Sequence, residues 1–271
     1  MTAGAPHRVG AILRKEMAEL RAAKGVLLAP LAMLLVSVAI PVFVSTVLPA
    51  WTGERLDGDT DVVALARGAQ VPGGARLGDA AVVQAFLLHQ FLPLLALVPI
   101  VGGMALVTTS IVGEKQARTL EPLLATPITS GELLVAKIGA AFGVALTLGA
   151  LGFAVLAGAA AVAGLPGVVG TLVSPRPIAL VALVAPAATL VALTLGAIVS
   201  TRAKDARSAQ QIGVVVVLPF VLVFLAGLDG DVALTTPALV GAAAGLLAAA
   251  GALGAVAVAL FDRERVLTDW T

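Results

Sequence analysis

Few side chains in this chain could do chemistry, and their spacing excludes most of it. The 271 residues contain no cysteine and only two histidines, His7 and His89. Disulfides, thiolate metal sites, redox chemistry and a multi-histidine metal cluster are therefore excluded. A hydrolase needs a nucleophile within hydrogen-bond reach of a base. Ser110 and His89, the pair a membrane hydrolase would have to use, stand 21 residues apart, about 30 Å along a helix. No G-x-S-x-G occurs, and none of the five lysines follows a glycine. Without a G-x-x-x-x-G-K-[ST] phosphate loop the chain cannot hold ATP in that manner. One carboxylate does stand out. Residues 8–24 read as a helix with Val9, Ile12, Leu13, Met17 and Leu20 on one face and Arg14, Lys15, Arg21 and Lys24 off it, and Glu16 falls on the apolar face. Left unpaired in an apolar setting, it would cost several kcal/mol. Either it pairs with a base of the inner loops, Lys115, Arg118 or Arg207, or it snorkels to water.

The elements that must position these groups are membrane spans. Hydrophobic residues make up 59% and charged residues 12% of the chain, against roughly 25% charged in an ordinary soluble domain, and mean hydropathy is +1.06. Six stretches lack Asp, Glu, Lys and Arg: 26–48, 91–112, 138–164, 178–200, 212–228 and 237–261. A bilayer core of roughly 30 Å takes about 20 helical residues, so each can cross, the fifth only marginally. The first stretch exceeds a signal-peptide core and follows a patterned helix, so it reads as an uncleaved anchor. Thirteen of the 17 Lys and Arg lie before the first span, in 113–137, in 201–211 or after 261, and four lie in the alternate loops. That asymmetry predicts cytoplasmic termini, with the loops 113–137 and 201–211 on the same side. The small net charge of +1 offers no field for nucleic acid. No ionisable group falls within the six stretches, whereas a proton- or ion-coupled carrier usually keeps one at membrane depth. Energy for transport would therefore enter through a cytoplasmic loop. Gly139 and Gly143, and Gly241 and Gly245, have G-x-x-x-G spacing, a weak signal in so Gly-rich a chain. Pro93, Pro99, Pro186 and Pro219 predict kinks.

The loop 113–137 is the informative one. Thr119 can N-cap a short helix with Pro122 in its tolerated first turn, and Thr126-Pro127 ends it. Leu120, Leu123 and Leu124 share one face. Thr129 and Glu132 then have capping-box spacing and start the helix of the third span. The run Glu114, Lys115, Thr119, Leu120, Glu121, Leu123, Leu124, Thr126, Pro127, Glu132, Leu133 and Lys137 resembles the inner-loop pattern of the permease subunits of type-2 ABC exporters. Leu13-Arg14-Lys15-Glu16 and Asp205 through Gln211 agree with it, and the form Gly-Glu-Lys…Thr-Leu-Glu-Pro-Leu-Leu-Ala-Thr-Pro-Ile is most similar to the sodium-export and multidrug branch.

The resemblance implies one all-α transmembrane domain over 1–271, with six spans, an amphipathic interfacial helix at 8–24 and a cytoplasmic coupling helix within 113–137. It implies one half of a dimeric translocation path in a prokaryotic plasma membrane, beside an identical or paralogous permease, driven by two separate ABC ATPase subunits. ATP and Mg would be bound by those subunits, with no cofactor or metal on this chain. Glu114, Lys115, Thr119, Leu120, Glu121, Leu123, Leu124, Thr126 and Pro127 would dock the ATPase, and Glu16, Arg118 and Arg207 would form a structural ion pair. The competing readings are an ion-coupled carrier and, more remotely, an intramembrane hydrolase.

Overall fold

The computed structural model describes residues 5–22, 24–117, 129–202 and 235–260, with Leu218 and Leu222 between the last two ranges. The elements are α1 (Ala5–Ala22), α2 (Leu28–Val42), α3 (Leu48–Thr52), α4 (Thr60–Gly68), α5 (Asp79–Gln90), α6 (Leu92–Gln116), α7 (Ser130–Ala163), α8 (Val168–Leu172), α9 (Pro175–Ala179), α10 (Ala185–Arg202) and α11 (Thr236–Leu260). Among the described residues there is no strand. Five helical runs of the described residues are long and apolar enough to cross a membrane: Gly25–Thr52, Asp79–Gln116, Ser130–Ala163, Pro175–Ser200 and Thr236–Leu260. The protein is an all-α membrane protein. The expected span at 212–228 apart from Leu218 and Leu222, the coupling segment 119–127, Arg118 and Arg207 lie outside the described residues.

One expected boundary, the end of the second span, shifts in a way that matters, while the third-span helix starts at its expected capping box. The helices overrun the charge-free stretches, α6 continuing to Gln116 and α7 beginning at Ser130. Glu114 and Lys115 therefore sit on the end of a membrane-crossing helix and not in a loop, and Glu132 and Lys137 lie in the first turns of the helix that the capping box was expected to start. The reason lies in helix signals stronger than charge. Thr129 and Glu132 exchange the two hydrogen bonds of a capping box and start α7 two turns before Lys137.

The bundle centres on α6, which packs against α2, α7 and α10, while α11 leans on α10 and α1 lies along α7. Two backbones approach closely where α6 crosses α10. A Cβ on Gly196 would come within 2.8 Å of Val107 Cγ1, and one on Gly103 within 3.1 Å of Thr189 Cγ2. Nothing lies within 4 Å of a Cβ built on Gly143, Gly241 or Gly245, and one on Gly139 would meet Leu13 of α1 at 3.8 Å, so the G-x-x-x-G pairs do not mark the α6–α10 crossing. Apolar packing concentrates at the two ends: Ile12, Leu20, Ile111, Leu133 and Ala257 belong to the α1 end, and Val82, Leu88, Leu156 and Leu172 to the opposite end. Leu28, Leu35, Leu151 and Val162 are exposed, as side chains facing lipid would be.

Candidate functional site: a buried charged junction

The α1 stripe that meets the bundle is Ile12, Glu16 and Leu20, spaced four residues apart and all buried. A carboxylate thus sits in the middle of an apolar stripe. The facing surface of α7 has the complementary anomaly, because Leu133, Leu134, Ala136, Ala140 and Ala141 are buried and Lys137 lies among them at 1% exposure. The two anomalies meet. Lys137 Nζ lies 2.7 Å from Glu16 Oε1, 2.8 Å from Ser110 Oγ on α6 and 2.8 Å from Glu114 Oε2, so an ammonium with three protons faces three oxygens. Ser110 Oγ donates to Glu16 Oε2 at 2.7 Å. Lys15 closes the set by donating to Glu114 Oε1 and lying 3.2 Å from Glu19 Oε1 and 3.5 Å from Glu16 Oε1. Two carboxylates, Glu16 and Glu114, balance two ammonium groups.

This balance makes the burial tolerable, since an isolated ion there would carry a desolvation penalty of several kcal/mol. Burial opposes the Glu16 charge. The Lys137 ammonium, the hydrogen bonds from Lys137 and Ser110 and the charge of Lys15 outweigh it and hold the carboxyl below its ordinary range. Burial likewise opposes the Lys15 charge, and Glu114, with Glu16 and Glu19, keeps its pKa above the ordinary lysine value. A second clamp ties the start of α1 to the start of α7: Arg8 donates to Glu132 through Nη2 at 2.6 Å and Nε at 3.4 Å. Glu132 Oε2 also accepts from Thr129 N at 2.9 Å, so one carboxylate caps α7 and holds α1.

Among the described residues, the partner of Glu16 is therefore Lys137, with Lys15 beside it. Lys115, one of the expected bases, instead donates to the Ser200 carbonyl at 2.8 Å, at the end of α10, where the free carbonyls of a helix terminus favour a cation. Glu114 and Lys115, expected at the rim of a partner contact, are each 7% exposed and turned into the bundle. Lys137 was missed as this partner because the bases expected to reach Glu16 were Lys115, Arg118 and Arg207, whereas Lys137 lies two turns into α7. The signal that would have found it is its place at the centre of the apolar positions 133, 134, 140 and 141, the same signature that singled out Glu16.

Chemically, the junction is a fastener. Ser110 and Lys137 have the composition of a nucleophile and a base. However, the ammonium protons are turned to oxygen acceptors, the hydroxyl proton goes to Glu16, and the Glu16 and Lys137 side chains are 1% and 0% exposed. The Glu16–Lys137 pair is thus withdrawn from any substrate, while Ser110 is half-buried with its proton committed to Glu16. The carboxylates of Glu16, Glu19 and Glu114 gather within 4.8 Å of one another, but lysine ammonium groups already serve as their counter-charges. His89, at the opposite end, has Nδ1 2.7 Å from the Ala85 carbonyl.

A family model for ABC-2 family transporter proteins matches residues 81–232, more than half of the chain and all of α6, α7 and α10. No curated protein matches it.

Proposed function

Because the chain belongs to the ABC-2 family of transporter proteins, and is thus a multi-pass permease of an ABC-type transporter, we propose that it forms half of an exporter path driven by separate ATPase subunits. Two permeases, identical or paralogous, would line that path, and two ATPases would bind below them at the α1 end, the cytoplasmic side by the Lys and Arg asymmetry. The observation that carries this reading is the charged junction. Residues 118–128 connect α6 to α7, and directly beside that connection Glu114 of α6 and Lys137 of α7 are locked to each other and to α1. A push delivered to the connecting segment would therefore move three helices as one body. Leu120, Leu123 and Leu124, with Thr119, Glu121, Thr126 and Pro127, would form the surface that the ATPase grips. Glu114 and Lys115 would pass the movement inward, the latter to α10 through Ser200. The pattern around Glu114 to Ile128 favours sodium or an amphipathic, drug-like molecule as cargo.

The charged groups favour this reading over an ion-coupled carrier. Among the described residues, the buried charges of the junction are paired with one another and so are not offered to a proton or ion relay. Purification from membranes that also contain the cognate ATPase is the test. The permease should bring down two ATPase copies and acquire ATP hydrolysis that it lacks alone. A chain that purifies by itself and moves cargo without ATP would be an ion-coupled carrier.

A further inference from the structure

The end of the bundle remote from α1 contains an interlock that the charged junction does not explain. Pro49 has no N–H, so the carbonyl four residues back, that of Ser45, loses its α-helical donor. Between α2 and α3 the first span widens into a π turn, Phe43–Val47, in which Leu48 N–H reaches back five residues to the Phe43 carbonyl. Such turns inside helices concentrate at functional sites. The freed carbonyl is taken by a side chain from another span: Gln84 of α5, 1% exposed, donates Nε2 to Ser45 O at 3.3 Å. Its Oε1 accepts from Leu165 N at 2.7 Å, just past Gly164, where α7 ends. One buried amide thus joins the ends of the first, second and third spans. The two arms differ, the one to the first span being the longer. Beside it Ser45 Oγ is buried without a hydrogen-bond partner, so nothing else polar secures that residue's side chain.

We propose that the hydrogen bond from Gln84 to the Ser45 carbonyl is a latch: it closes this end of the bundle, and it releases when the end of the first span swings at its π turn while Gln84 stays on Leu165. The proposal rests on the transport reading, in which this end faces outward and must open to discharge cargo.

The chain has no cysteine, so Ser45→Cys supplies a single reporter at a hydroxyl that makes no bond. The measurement is its labelling by a membrane-impermeant maleimide in the permease–ATPase complex. With Gln84 present and no ATP, labelling should be slow. Gln84→Glu keeps the acceptor for Leu165 but, when ionised, cannot donate to the Ser45 carbonyl. Labelling without ATP should then rise about tenfold, the scale of one hydrogen bond. Acidification slows maleimide reaction at any thiol, so the reading is the ratio of the Gln84→Glu rate to the Gln84 rate at each pH: it should fall towards one as the carboxyl is protonated and recovers the donor. If Gln84→Glu fails to assemble, Gln84→Met fills the same space without a donor and should give the same rise without that fall in the ratio. Labelling in the assembled variant that stays at the Gln84 level would overturn the latch. ATP should accelerate labelling with Gln84 intact. If the variant opens but ATP has no effect, the latch stands and the ATP-driven reading fails.

Discussion

Lys137 holds three oxygens from two other helices around one ammonium, so removing it does not delete one contact but leaves Glu16 and Glu114 with only Lys15 between them. Stranding buried charge in this way costs about 3–5 kcal/mol, whereas removing a balanced pair can be nearly neutral. Lys137→Met should therefore lower thermal stability in detergent severely. The double variant Lys137→Met with Glu16→Gln, which leaves Lys15 facing Glu114, should be more stable than Lys137→Met alone. Additive losses would contradict the network. Glu16→Gln should destabilise more than Glu19→Gln, because Glu19 is 53% exposed and, among the described residues, pairs with Lys15 alone. Acidity gives an independent check. Glu16 has a lowered pKa in the folded chain, so its contribution is whole above the ordinary value of 4.5 and lost as pH falls through the folded value. Lys15 has a raised pKa, so its contribution is whole below 10.5 and lost as pH rises through the folded value. The stability gap between wild type and Glu16→Gln should thus be flat across neutral pH and close only below 4.5. At this scale the sequence disclosed one half of the pair. Glu16 was legible because a carboxylate broke an apolar stripe. Its partner was hidden because the bases expected to reach Glu16 were Lys115, Arg118 and Arg207, whereas Lys137 lies two turns into α7.

Among the elements, α1 was readable from the spacing of its apolar residues, and its observed limits, Ala5–Ala22, differ from 8–24 by a few residues. The five described spans were readable from composition because nothing but length and apolarity is needed to cross a bilayer. The contacts between them were not, since helix packing in lipid depends on local shape and leaves no periodic polarity to read. Gly103 and Gly196 sit at the α6–α10 crossing without a G-x-x-x-G signature, and Gly143, which has one, touches nothing there. Gly196→Ala should therefore force Val107 and Met104 apart and cost about 1–3 kcal/mol, while Gly143→Ala should be neutral or slightly stabilising. Thermal unfolding of the two variants side by side checks this, and equal effects would mean that the crossing has been placed on the wrong residues.

Taken whole, the molecule has one end fastened by charge, beside the segment that joins α6 to α7, and another fastened by the amide of Gln84. An ATP-driven permease needs such an arrangement, with force entering at one side of the membrane and opening produced at the other. Sidedness can be tested with single cysteines at Gln116 and Ala64, both exposed and at opposite ends. They should label from opposite sides of the membrane, and labelling of both from outside would defeat the topology. The most direct measurement is whether the ATPase stays with a permease carrying Leu123→Asp. A charge in the desolvated centre of the contact should detach the ATPase, while the permease still purifies from membranes as a folded bundle with its Glu16–Lys137 junction intact. If the Leu123→Asp permease retains its ATPase and the complex hydrolyses ATP and exports at the wild-type rate, force does not enter through this segment and the account is contradicted.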